Sequence, residues 1–216
     1  MNDGLYSGLL DIVLLSLRVT GTALAICTAA GVPIGAVLGL SRIRARRLVT
    51  ALLYTGMGLP PVVVGLFVYL LLSRSGPLGF LGWLFTPRAM ILAQAIIAFP
   101  LVAGLTMAAV QSVDPAFRQQ VRALGATRLQ EIRALLREAR LGVVAAIVAA
   151  FGSIISEVGA VMLVGGNIAG KTRVLTTAIV LNTRQGEFIP AIILGVLLLL
   201  LAFLANVALL RLQGRN

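Results

Sequence analysis

The chain has 216 residues, of which 59% are hydrophobic and 12% charged, with a mean hydropathy of +1.04. Soluble domains run at roughly 45–50% apolar and about 25% charged residues, so a water-soluble fold would lack the polar surface to cover such a core. The formal charge of +11 does not indicate nucleic acid. The arginines gather in loops between apolar runs, where membrane topology accounts for them, and no aromatic-interleaved basic surface is left over. The single cysteine, Cys27, excludes a disulfide framework or a C-x-x-C metal site. The absence of histidine removes the commonest catalytic base and metal ligand. Met1 to Ser7 has no basic leader and contains Asp3, so no cleavable signal peptide is expected. The composition specifies an all-α membrane protein with residues 1–216 as one domain.

The first span is expected from Val19 to Leu40, since about 20 residues cross a hydrocarbon core of roughly 30 Å. Leu5 to Leu17 is then a lead-in helix near the interface, with Arg18 snorkelling toward headgroups. Ser41 to Arg47, SRIRARR, marks the cytoplasmic side. The second span, Leu48 to Ser73, contains Gly56, Gly58, Pro60 and Pro61, which must disturb the helical ladder. That disturbance is either a packing kink or a break lining a pathway, the two settings in which lipid tolerates it. A turn-rich loop with Gly76-Pro77 and Gly79 leads to the third span, Ala89 to Val110, which holds Gln94 and Pro100. The fourth span is Leu141 to Val164 and the fifth Phe188 to Leu210. Between them, Val174 to Leu181 is too short to cross and reads as a re-entrant or interfacial helix. Twelve basic residues fall on the side of SRIRARR and the C-terminus, against six on the other. This predicts about five transmembrane helices oriented N-out and C-in, or six if the lead-in also crosses.

Ser112 to Arg140 is the longest polar stretch and carries six arginines. Asp114-Pro115 is a helix start, because Asp caps and proline at the first helical position loses no needed N–H. Phe117, Val121 and Leu124 follow at helical spacing as one apolar stripe, with Arg118 and Arg122 off it. Gly125 breaks the run. Thr127 and Gln130 then form a capping box for a second helix whose apolar face is Leu129, Ile132 and Leu136. Two capped amphipathic helices around a glycine corner predict a docking element on the cytoplasmic side.

Asp114-Pro115 followed by Arg122-Ala123-Leu124-Gly125-Ala126-Thr127 resembles the coupling loop of ABC-importer permeases. Leu59-Pro60-Pro61-Val62-Val63-Val64-Gly65, Ala93-Gln94 through Phe99-Pro100, and Ser156-Glu157-Val158-Gly159 with Gly166-Asn167-Ile168-Ala169-Gly170 narrow the likeness. Together they are similar to the tungstate and molybdate permeases, most of all the tungstate type. The loop departs from the family pattern at both ends. Gln119-Gln120-Val121 stands where Glu-Ala-Ala is usual, and Leu135-Leu136-Arg137-Glu138 lacks the Leu-Pro. The resemblance implies a homodimeric permease in the inner (cytoplasmic) membrane that imports tungstate, with molybdate or sulfate as alternatives. It implies an ABC ATPase subunit docking on Phe117, Val121, Arg122, Leu124, Gly125, Ala126 and Thr127, and a substrate-binding protein outside. ATP and Mg²⁺ would be used by the partner, with no cofactor held by this chain. A stand-alone channel or secondary transporter is the different-class alternative, although no internal repeat supports a carrier built from two matched halves.

Gly165 to Thr172, GGNIAGKT, matches the G-x-x-x-x-G-K-[ST] phosphate-loop pattern. Its context does not fit a membrane-anchored NTPase. The preceding apolar run is span-length rather than a short strand, and no downstream aspartate is available to hold Mg²⁺. Glu157 is the one acid inside a predicted span, about 25 Å along the helix from Arg140. Such groups face a bundle interior and mark a pathway or a structural pair. Pro60, Pro61 and Glu157 are therefore candidates for the translocation path or gate. Thr172, Arg173, Thr176 and Thr177 supply hydroxyl and guanidinium donors suited to a tetrahedral oxyanion.

Overall fold

The computed structural model describes residues 3–41 and 46–213, and every regular element among them is helical. In chain order these are α1 (Asp3–Leu40), α2 (Arg46–Met57), α3 (Pro61–Leu72), a 3-10 turn (Gly79–Leu81), α4 (Pro87–Gln111), α5 (Pro115–Ala123), α6 (Arg128–Glu138), α7 (Arg140–Ile155), α8 (Gly159–Gly165), α9 (Leu175–Arg184) and α10 (Phe188–Gln213). Of the basic markers, Arg42 and Arg44 in SRIRARR and the terminal Arg215 lie outside the described residues.

Among the described residues, three helices are long and apolar enough to cross a membrane alone: α1 from Gly8, α4, and α10 to Ala208. Two further pairs, α2 with α3 and α6 with α7, meet at bends of 101° and 73°, giving up to five spans if each pair counts once. In the second pair α6 is the polar member, with Arg128, Arg133 and Arg137 exposed. The separate lead-in helix expected over Leu5–Leu17 does not exist. α1 is continuous for 38 residues, about 57 Å at 1.5 Å per residue. Asp11 and Arg18 sit on its exposed positions.

The prolines of the second predicted span start a helix instead of kinking one. Pro61 occupies the first position of α3, Pro60 precedes it in an extended conformation, and α2 has already ended at Met57. Proline costs nothing at that position because the first N–H groups of a helix have no intrahelical partner. The fourth predicted span is also divided. α7 stops at Ile155, and α8 resumes at Gly159 after the Ser156-Glu157-Val158 break.

α1 and α4 form the axis of the bundle. Gly31, Gly35 and Gly39 lie one turn apart on α1 and face α4. A Cβ at Gly35 would come within 2.3 Å of the Ala103 carbonyl oxygen, and one at Gly31 within 2.9 Å of Val102. Lipid tails are as apolar as leucine, so helices in membranes gain by such close backbone approach and not by burial from water. Around this axis Val19, Ala23 and Cys27 of α1 and Met90, Ala93 and Val102 of α4 pack with Val64 and Val68 of α3, Ile154 of α7 and Val161 of α8. The α3–α8 contact is equally tight, since a Cβ at Gly65 would meet the Ala160 Cα at 2.5 Å. α10 packs mainly on α9 through Leu194 and leaves Ile189, Val196, Leu199 and Phe203 exposed, a surface suited to lipid.

Gly35→Val should therefore wedge α1 from α4 and cost about 1–3 kcal/mol by overpacking. The check is thermal unfolding in detergent. Gly21→Val, at an exposed glycine with open space around it, should unfold at the wild-type temperature.

Candidate functional site

The polar loop between α4 and α7 folds from its own sequence signals. Asp114 Oδ1 accepts the Ala116 N–H at 2.8 Å, and Pro115 opens α5. The capping box is complete: Gln130 Oε1 accepts the Thr127 N–H at 2.8 Å while Thr127 Oγ1 accepts the Gln130 N–H at 3.4 Å. Gly125 turns the corner at φ +77°, a left-handed conformation that side chains disfavour.

The apolar stripe on α5 is not one surface. Phe117 packs inward against Ala36 and Leu40 of α1, Val110 of α4 and Leu135 and Ala139 near the end of α6. Leu124, at the far end, is 87% exposed, and Val121 is half-buried between them. Phe117 is thus spent on holding the loop to the bundle, and the part of the loop left open is the corner of Leu124, Gly125, Ala126 and Thr127 with Arg122 beside it. The stripe divides because α5 lies across the helix ends with only its first turn over the apolar plug.

The arginines off the stripe converge on a residue that sequence reading passed over. Glu131 of α6 is 6% exposed, and its Oε1 accepts Nε–H of Arg118 at 2.7 Å and Nε–H of Arg122 at 2.9 Å. Arg118 also donates from Nη2 to the Leu40 carbonyl of α1 at 3.1 Å. Burial alone would raise the Glu131 carboxyl, but the hydrogen bonds and positive charge of the two arginines outweigh it and hold the carboxyl below its ordinary range. The one available signal was a glutamate in the first turn of a helix with three arginines, and its partners lie in a different helix.

At the opposite end of the bundle, the residues proposed for the path are largely bonded to the chain itself. Glu157 is buried, and its Oε1 accepts the Ala160 N–H at 2.9 Å, so it satisfies an N–H at the start of α8. Thr176 Oγ1 donates to the Glu157 carbonyl at 3.0 Å, tying α9 to the break. Thr172 Oγ1 donates to the Gly165 carbonyl at 2.6 Å and accepts the Ile168 N–H at 2.9 Å. Thr177 Oγ1 accepts the Val174 N–H and donates to the Val174 carbonyl, both at 3.1 Å. These three hydroxyls therefore build the turn and the start of α9 and do not converge on an open anion site. Arg173 differs: it is half-buried, it reaches the Asn167 carbonyl at 3.5 Å through Nη2, and its Nε has no partner. It lines a groove of about 1100 Å³ with Arg18, Lys171, Asp11 and Glu187. Ser16 of α1, unflagged by the sequence, accepts the Leu175 N–H at 2.9 Å and so anchors α9.

The two helix breaks are neighbours. Val62, just after Pro60-Pro61, packs on Gly159, just after Glu157. Pro60, Val62 and Ser156 are exposed on that side, and interrupted backbone at membrane depth must face protein or water. The GGNIAGKT segment is a turn between α8 and α9 with Gly166, Asn167 and Gly170 at positive φ. No strand precedes it, so the strand–loop–helix frame of a phosphate loop is missing.

A family model described as binding-protein-dependent transport system inner membrane component matches residues 31–215. The chain belongs to that family. This permease is 44% identical over 202 residues to the tungstate uptake system permease protein TupB of Peptoclostridium acidaminophilum, covering 94% of this chain and 89% of the relative. It is 45% identical to a probable anion ABC transporter permease protein of Haloferax volcanii, covering 92% and 88%. Its identity to the molybdenum transport system permease protein ModB of Escherichia coli K12 is 32%, with 81% of each chain covered. In structure it is similar to a chain of the inward-facing MetNI methionine ABC transporter, with a TM-score of 0.79 at 20% identity over 98% of this chain and 97% of that one. The permease is a translocating subunit and not a catalyst.

The lowered Glu131 pKa fixes a sign. Its contribution to loop stability is complete above the pKa of a free carboxyl and is lost only as pH falls through the lower folded value. Amide protection across residues 115–138, taken relative to the intrinsic exchange rate at each pH, should hold down to about pH 4.3, the free glutamate value, and fall in stronger acid. In Glu131→Gln that acid step should vanish. An unchanged profile in the variant would assign the step to another group.

Proposed function

We propose that this permease imports a tetrahedral oxyanion, tungstate, across the cytoplasmic membrane, driven by ATP hydrolysis in a separate ABC ATPase subunit. The observation that carries the substrate is the 44% identity to a tungstate permease along nearly the whole chain, against 32% to a molybdenum permease. The excess of arginine around the α5–α6 loop supports five spans with the N-terminus outside and the C-terminus inside.

In this reading the ATPase meets the corner of Leu124, Gly125, Ala126 and Thr127, with Val121 and Arg122 at its edge and Phe117 beneath. ATP and Mg²⁺ belong to that partner, and the permease holds no cofactor. An extracytoplasmic binding protein delivers the anion at the end of the bundle that carries the α8–α9 turn. Two copies of the permease enclose the path. Pro60, Pro61 and Glu157 form its gate, where two interrupted helices touch. Arg173, with one N–H unspent, is the donor left for the anion, while Thr172, Thr176 and Thr177 hold the turn that presents it. ATP binding favours one of the inward-open and outward-open states and hydrolysis releases it, since a ligand shifts an equilibrium only by its differential affinity for the two states.

Leu124→Glu and Gly125→Asp should each abolish co-purification of the ATPase subunit with the tagged permease, with the amount of permease in the membrane unchanged. ATPase capture by the variants at the wild-type level would refute docking at this corner. Uptake of labelled tungstate should be blocked by excess tungstate and far less by molybdate or sulfate. The opposite ranking would move the substrate to one of those anions.

A further inference from the structure

The α5–α6 loop is joined to the bundle in two ways that differ in kind. One is the apolar plug of Phe117, Leu40, Val110 and Leu135, which is non-directional and lets the parts slide. The other is the polar clasp in which Arg118 bridges Glu131 Oε1 and the Leu40 carbonyl while Arg122 takes the same Oε1. The carbonyls at a helix C-terminus have no intrahelical partner and carry the negative end of the helix dipole. A guanidinium placed there is favoured twice. Its planar fork allows Nε and Nη2 to bond two groups at once.

Arg118, the member of the clasp that reaches α1, is six residues and about 9 Å of helix from exposed Leu124, while Arg122 lies next to the corner. Buried ion pairs are weak evidence for stability, because desolvation offsets the attraction, and their best-attested use is to fix one arrangement among several. A loop that only carried topological charge would need no buried carboxylate between its arginines. Here they are committed to a buried carboxylate and to the last residue of the helix that makes the tightest seam with α4.

We infer that Glu131 and Arg118 are positioning residues that couple the loop corner to the end of α1, so that displacement of the corner moves the α1–α4 pair and does not dissipate within the loop. This inference rests on the reading of the corner as the ATPase dock. Glu131 touches neither nucleotide nor anion. Its role is transmission.

The test uses the complete transporter in proteoliposomes and reads anions accumulated per ATP hydrolysed. Glu131→Gln should retain the ATPase subunit on affinity capture and lower that ratio about tenfold. Arg118→Lys keeps the charge but replaces the planar fork with a shorter point ammonium that does not reproduce the paired Nε and Nη2 geometry, and should lower the ratio similarly. The double variant should be no worse than either single one, as expected for residues acting through one contact. If Glu131→Gln does not accumulate, Arg118→Lys alone decides. A wild-type ratio in every variant that assembles, or additive losses in the double variant, would overturn the inference. Failure of the wild-type permease to capture the ATPase would instead overturn the docking on which it rests.

Discussion

The close approach of α1 to α4 is the constraint on which the rest of the molecule depends. In lipid no water is released when helices meet, so a seam must be made by backbone proximity and packing. Three glycines on α1 allow it, and the Ala103 carbonyl lies where a Gly35 side chain would have to be. The seam orders the two ends of the bundle. At one end Leu40 and Val110 close over the apolar plug beneath α5 and α6. At the other, Ser16 of α1 holds the start of α9 and Gly165 packs on Met90 of α4. Both candidate regions, the loop corner and the turn around Arg173, are thus mounted on one pair of helices.

The second organising feature is interruption. α2–α3 and α7–α8 each stop and restart inside an apolar stretch, and the exposed backbone of such a break has to be satisfied in a membrane. The chain does this with its own groups: proline at the first position of α3, the Glu157 carboxylate at the start of α8, and Thr176 on the Glu157 carbonyl. The Glu157 side chain is thus accounted for by the backbone N–H it accepts at the restart of the helix.

The ends of the α5–α6 loop were legible in the sequence because capping is local. Asp114-Pro115 and Thr127 with Gln130 satisfy backbone groups within three residues of themselves, and the structure places them so. The break at Pro60-Pro61 was legible for the same reason, although its nature as a helix start was not. Contacts between distant residues were not legible. Phe117 lies on the expected stripe, yet which part of that stripe meets α1 depends on how α5 crosses the helix ends. Glu131 looked like one of two acids on an arginine-rich helix, and its two partners come from α5. The Ser156–Val158 break was hidden inside an apolar run, since the residue that caps α8 is the same glutamate that read as a path residue. The threonines of the α8–α9 turn suited an oxyanion by chemistry, and the structure spends their hydroxyls on backbone.

An ATP-driven assembly makes a demand that a channel does not: movement of the anion must require every subunit. The most direct measurement is accumulation of labelled tungstate in sealed vesicles holding the permease, with ATPase subunit, binding protein and ATP each present or omitted. Accumulation against a gradient that needs all three is the predicted result. Flux through vesicles that contain the permease alone, without ATP, would contradict it and establish a stand-alone channel or carrier instead.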